Sequence, residues 1–154
     1  MFRNMRREDR LLTDEQAWEI IKNGKYGVLA LYGDDGYPYG VPMHYVVIDD
    51  IIYMHGTSAG GHKADAIANH SKMSFTIMEM EDHVKGRSTI IFGTIELVND
   101  MREKVLEKFV ETYVPEFAWE QAKQGIPFAK DNMEAYRLTI DHLSAKRIDK
   151  PDGK

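Results

Sequence analysis

The stretch from Gly36 to Lys63, GYPYGVPMHYVVIDDIIYMHGTSAGGHK, constrains this chain more than any other. From Tyr37 to Ile48 the residues alternate. Tyr37, Tyr39, Val41, Met43, Tyr45 and Val47 share one face of a strand, and Pro38, Gly40, Pro42 and His44 share the other. Pro38 and Pro42 are four residues apart, so both missing N–H donors lie on one lateral edge, and that edge cannot pair continuously with a neighbour. It is either an ordinary edge strand guarded by proline against aggregation, or the lip of a barrel open along a seam. In the second reading, carbonyls and amides at Val41, Met43 and nearby positions are free to meet a flat polar ring. Asp49-Asp50 then turns the chain into a second strand, which runs into the small-residue loop Gly60-Gly61-His62-Lys63. A lysine at a glycine-preceded helix start joins a cation to free backbone N–H groups, a setting suited to a phosphate dianion. The plainer alternative for Lys63 is a solvated surface side chain.

The rest of the chain supplies elements for an antiparallel barrel. Thr13 and Gln16 form a capping-box pattern that starts a helix at Asp14, and Asn23-Gly24 supplies a left-handed stop. Strands are expected over Tyr26–Tyr32, Tyr37–Ile48, Ile51–His55, Lys72–Met80, Arg87–Val98 and Ala135–Ile148, with Gly93 marking a bulge or bend. Short helices are expected over Gly61–His70 and Glu116–Lys123. A longer one, capped by Asp100 and Glu103, runs from Met101 to about Tyr113 with Val105, Leu106, Phe109 and Val110 inward. Six strands in mostly hairpin order with peripheral helices suggest a mainly β, α+β fold built on an antiparallel barrel. The 154 residues are expected to form one domain, and the tail IDKPDGK to fray.

Composition removes several classes of function. There is no cysteine, which excludes disulfide scaffolds, thiol catalysis and cysteine-zinc frameworks. The net charge of −5 is spread along the chain, and the basic cluster Arg3, Arg6, Arg7, Arg10 is interrupted by Glu8 and Asp9. Neither a nucleic-acid nor an anionic-membrane partner fits that pattern. No HExxH spacing occurs among the six histidines, so no metal site is expected. The N-terminus carries arginines with no apolar run behind them, and a soluble cytoplasmic protein is expected.

The segments MRREDR, DDGYPYGVPMHYV, IYMHGTSAGGHKADAI and RSTIIFG occur in the same order in a known group. In them the chain resembles the nitroimidazole-resistance branch of the pyridoxamine-phosphate-oxidase-like, FMN-binding split-barrel proteins, over roughly residues 5–98. The resemblance implies a six-stranded antiparallel split β-barrel that forms a homodimer, with FMN at two sites between the protomers. By position, Val41, Pro42, Met43 and His44 would run beside the isoalloxazine ring. Lys63 and the loop through His55, Gly56, Thr57, Ser58 and His62 would hold the phosphate, with Arg87 and Ser88 as a second phosphate or ribityl contact. His55 is the candidate proton donor to a substrate, with a structural role as its alternative. The chain departs from the group's pattern at Gly86, where tyrosine is common, and at His44, where a small polar residue is common.

An oxidoreductase reducing small electron-poor organics, such as nitro-heterocycles, is the leading expectation. A flavin-binding module without turnover, acting as a store or redox sensor, is the alternative. A split barrel holding a tetrapyrrole or another flavin-like cofactor is a third.

Overall fold

A computed structural model describes residues 1–149 of the chain. The expected capping box closes the first helix, α1 (Asp14–Asn23): Gln16 N–H donates to Thr13 Oγ1 at 3.2 Å, and Thr13 N–H donates to Gln16 Oε1 at 3.0 Å. The strands are β1 (Tyr26–Tyr32), β2 (Pro38–His44), β3 (Val46–Ile48), β4 (Ile51–Thr57), β5 (Lys72–Met80), β6 (Gly86–Leu97) and β7 (Met133–Arg147). Helix α2 (His62–Asn69) follows β4. Between β6 and β7 lie α3 (Arg102–Tyr113), α4 (Trp119–Gln124) and α5 (Ile126–Ala129). Among the described residues no helix is long and apolar enough to cross a membrane.

All pairings are antiparallel, in the order β2-β1-β5-β6-β7-β4-β3. Because β2 and β3 are consecutive, the two ends of this order are one bent strand, and the sheet curls into a split barrel. Seven strands appear where six were expected because residues 37–48 do not form a single strand. The break falls at Tyr45, whose N–H turns to Lys25 O at 3.2 Å and whose hydroxyl donates to Ile21 O. Tyr113 of α3 holds the break open, with its hydroxyl against the carbonyls of both Lys25 and Tyr45.

Alternation along the strands fills the barrel. Leu29, Met54, Phe75, Ile77, Ile91 and Ile95 meet inside it, and Ile20 and Ile21 of α1 close one end. A second cluster on the outer side of β3 and β4 packs Val46, Tyr53, Val98, Val105 and Ala135 beneath α3. Each fully buried Val, Leu, Ile, Phe or Met among them contributes about 1.5–3 kcal/mol through its removal from water.

Several boundaries differ from expectation. Gly24 is extended (φ −73°, ψ 160°), not left-handed. Space explains the glycine there, since a Cβ would run into the Tyr45 hydroxyl. Asp100 caps nothing: α3 starts at Arg102 after a 3-10 turn, and its N-cap position, Met101, makes no side-chain cap bond. The sheet irregularity does fall at Phe92/Gly93, with Asp141 as the extra residue on β7. Ile148 is tied down, donating to Gly86 O at 2.8 Å and accepting from Arg10 at 2.7 Å. From residue 150 onward, the expectation of fraying falls outside the described residues.

Candidate functional site at the split between two strands

Proline sets the direction of the open edge. In the β1–β2 ladder Val28 faces Pro42, Leu29 faces Val41 and Tyr32 faces Pro38. A residue without N–H can occupy only the non-hydrogen-bonded positions of such a ladder. The backbone groups of Val41 and Met43 therefore point at β1, contrary to expectation. The free edge carries those of Pro38, Gly40, Pro42 and His44. On the far side, β3 pairs with β4 as far as Val46 with Tyr53. Beyond Tyr45 the two banks, β2 and β4, separate.

Lys63 enters this split from the barrel side. Gly61 precedes α2 with no side-chain cap, unlike Thr13 at α1, so the first N–H groups of α2 have no such acceptor. Gly60 and Gly61 hold φ of 84° and 129°, conformations that L side chains rarely adopt, and nothing lies within 4 Å of a Cβ built on either. The Lys63 side chain folds back so that Nζ is 3.7 Å from Met43 Sδ. A Cβ on Gly56 would sit 3.0 Å from that nitrogen, so the glycine makes room for the amine. Burial lowers the Lys63 pKa, and Glu134 opposes the shift. Glu134 faces Gly56 across the β4–β7 ladder and accepts the Tyr136 hydroxyl at 2.6 Å.

His44 and His55 face the other way, onto α3. The rings of Tyr113 and Phe109 meet them edge-on, at centroid distances of 5.0 and 4.4 Å. Together these residues border a cavity of about 500 Å³ roofed by α3, α4 and α5, with Leu106, Val110 and Ile126 among its walls. Burial, then the charges of Lys63 and His44, lower the His55 pKa and favour the neutral imidazole. A base with a depressed folded pKa adds stability in full above its unfolded value of about 6.5, and that contribution fades as pH falls through the folded value. An NMR titration of His55 is expected to give a midpoint below 6.5. Added inorganic phosphate should move that midpoint upward by opposing the lysine charge; a downward or absent shift would separate His55 from the anion site.

The remaining candidates divide. The Thr57 hydroxyl accepts from Ala59 N–H at 3.2 Å, and Ser58 N–H donates to Asn132 O at 3.0 Å, which places both in the loop before α2. His62 turns from the split towards the β1–β2 turn, stacking on Tyr39 at 4.0 Å with Nε2 3.4 Å from Asp34. Asp34, Asp35 and His62 converge there, all exposed. Arg87 and Ser88 lie at the opposite end of β6 from Leu97, which pairs with Tyr136. Ten residues of strand span about 33 Å. Arg87 is engaged in ion pairs with Glu79 at 2.8 Å and Glu19 at 3.1 Å. Within one chain these two residues do not reach Lys63. Glu134, Tyr136, Phe109 and Tyr113 were not anticipated from the sequence. The β4–β7 pairing that brings the first two to the split, and the packing of α3 that brings the other two, are non-local.

Comparison with known proteins adds the following. The family model described as pyridoxamine 5′-phosphate oxidase matches residues 13–147. None of the curated proteins searched matches the chain. Among solved structures, the conserved hypothetical protein Rv2991 of Mycobacterium tuberculosis superposes with a TM-score of 0.76 at 20% identity, covering 96% of this chain and 91% of its own. A candidate 5-nitroimidazole antibiotic resistance protein of Bacteroides thetaiotaomicron gives 0.71 at 17%, covering 89% and 86%. An FAD-binding protein of Mesorhizobium loti gives 0.65 at 20%, covering 90% and 96%. At these identities the likeness is one of fold.

Proposed function

This chain belongs to the pyridoxamine 5′-phosphate oxidase family, and from that premise we propose that it binds FMN at the β2–β4 split and reduces small electron-poor organics such as nitro-heterocycles. One observation carries the reading. Among the described residues, the half-buried Lys63 amine has a thioether as its one hydrogen-bond partner, beside a helix start without a side-chain cap. A phosphate monoester fits both, as a charged hydrogen-bond acceptor for the amine and the acceptor the backbone N–H groups need. One lysine and one helix start suit a single phosphate, which favours FMN over a dinucleotide. The FAD-binding protein of Mesorhizobium loti, of the same fold, supports a flavin as the group held.

When bound, the flavin supplies transfer of electrons from a reduced donor to an organic acceptor. The chain's residues do the rest. The free edge of β2, from Pro38 to His44, offers carbonyls and N–H groups to the rim of a flat ring. Lys63 and the turn through Gly60 and Gly61 anchor the phosphate. His55, neutral when free, gains basicity as an anion settles beside Lys63 and becomes able to hold a proton for the acceptor.

The partner in this reading is a second copy of the chain. Tyr26, Val28, Tyr32 and Met78 stand exposed by 47–68% on the outer face of β1 and β5. Tyr26 and Val28 lie directly across from His44 and Pro42, so this apolar face runs up to the split. A contiguous patch of that kind suits a two-fold contact. A dimer would also bring the partner's surface against the open edge.

Sedimentation velocity followed at the flavin's visible absorbance tests cofactor and dimer together. The expected result is a yellow species of twice the chain mass, bleached by an anaerobic reductant and recoloured by a nitro-heterocycle. A colourless protein that takes up no added FMN removes the reading. A yellow monomer removes only the dimer, and a failure to recolour removes only the reductase activity.

A further inference from the structure

We infer that the cavity roofed by α3, α4 and α5 is a second ligand site, for an uncharged, flat aromatic molecule of one to three rings. The inference rests on the flavin reading only for what such a ligand would do next. It does not depend on it for the binding itself.

Three features select that class of occupant. The first is charge. The cavity is bordered by His44, His55, Phe109, Tyr113 and aliphatic side chains, with no lysine, arginine, aspartate or glutamate among them. A phosphorylated vitamer or a pyridine dinucleotide would bring two or more charges to walls that offer no ion to pair them. The second is size: about 500 Å³ lies within the range of small-molecule sites. The third is shape and polarity. Phe109 and Tyr113 stack on one another, 5.4 Å apart at 22°, and with two imidazoles make an aromatic, weakly polar lining that suits a flat ring bearing a carbonyl or nitro oxygen. His44 and His55 also flank the split, so a ligand held here would share a wall with a ring lying along the edge of β2.

The test uses menadione, a neutral two-ring quinone, as probe; the chain has no cysteine for it to alkylate. Methyl NMR of the full chain should show shifts at Val110, Val114 and Ile126, which locates the site without any variant. Ala122→Trp, which fills the cavity from α4, should weaken binding by about tenfold or more. Lys72→Ala, exposed on β5 and outside the cavity, should change it by less than about twofold. Pyridoxal 5′-phosphate should compete poorly, and FMN-loaded protein should bind the probe as well as the free chain does. Shifts elsewhere, affinity unmoved by Ala122→Trp, effective competition by the charged vitamer, or exclusion of menadione by FMN would each overturn the inference. Failure to bind FMN leaves every probe measurement intact, so the two readings fail separately.

Discussion

Replacing Lys63 with alanine should weaken FMN binding by roughly 30- to 150-fold, read as a rise in dissociation constant during titration of flavin fluorescence. The magnitude follows from removing one charge-assisted contact worth about 2–3 kcal/mol, with each 1.4 kcal/mol equal to a factor of ten. Lys63 starts half-buried, with its amine already turned to Met43 Sδ and given room by Gly56. Little side-chain ordering then remains to be done on binding, and the contact keeps most of its gross strength. Riboflavin, which lacks the phosphate, is the control: its affinity should be nearly the same in wild type and variant. An equal loss for both flavins would mean that the substitution damaged the split as a whole. No loss for FMN would place the phosphate elsewhere.

Substituting Gly93 with alanine should lower the melting temperature by roughly 6–12 °C, through a loss of about 3 kcal/mol in a chain of this size. At this position β6 meets the extra residue Asp141 of β7, and a Cβ would drive into the backbone carbonyl of Thr139. A backbone obstacle cannot swing aside as a side-chain tip can, so the ladder must shift. Calorimetry of the variant against Gly40→Ala, where the nearest atom is a Val28 methyl at 3.4 Å, separates the close approach from loss of glycine itself. Equal effects at the two positions would refute the steric explanation.

What the sequence discloses depends on how local the controlling contact is. The Thr13–Gln16 box, the double-aspartate turn at Asp49-Asp50 and the strand over Lys72–Met80 are set by neighbours in the chain, and all three read correctly. Tyr39, Val41, Met43 and Tyr45 do share the inward face, as alternation requires. The interruption at Tyr45 was not legible. It depends on Tyr113, 68 residues away, and no periodicity within Tyr37–Ile48 announces a partner from another element. The edge of β2 left free was mistaken for a similar reason. Two prolines identify an edge but leave open which alternate set of carbonyls faces it until the pairing with β1 is known. Arg87 shows the limit of transfer by motif. Its place in the chain suggested the phosphate, yet the β5–β6 ladder pairs it with Glu79 and the fold brings Glu19 of α1 to it.

The arrangement of β2 and β3 as two arms of one strand bears on what the slot can admit. Covalent chain joins β2 to β3 at Tyr45, pairing holds β4 beside β3, and the banks β2 and β4 part from that apex towards Pro38, so the opening tapers like a feeler gauge. How thick a guest may be at a given depth is then dictated by backbone pinned at the apex, while side chains along the banks govern only what that guest touches. Substitutions in the lining should retune chemical preference far more readily than they admit a bulkier guest.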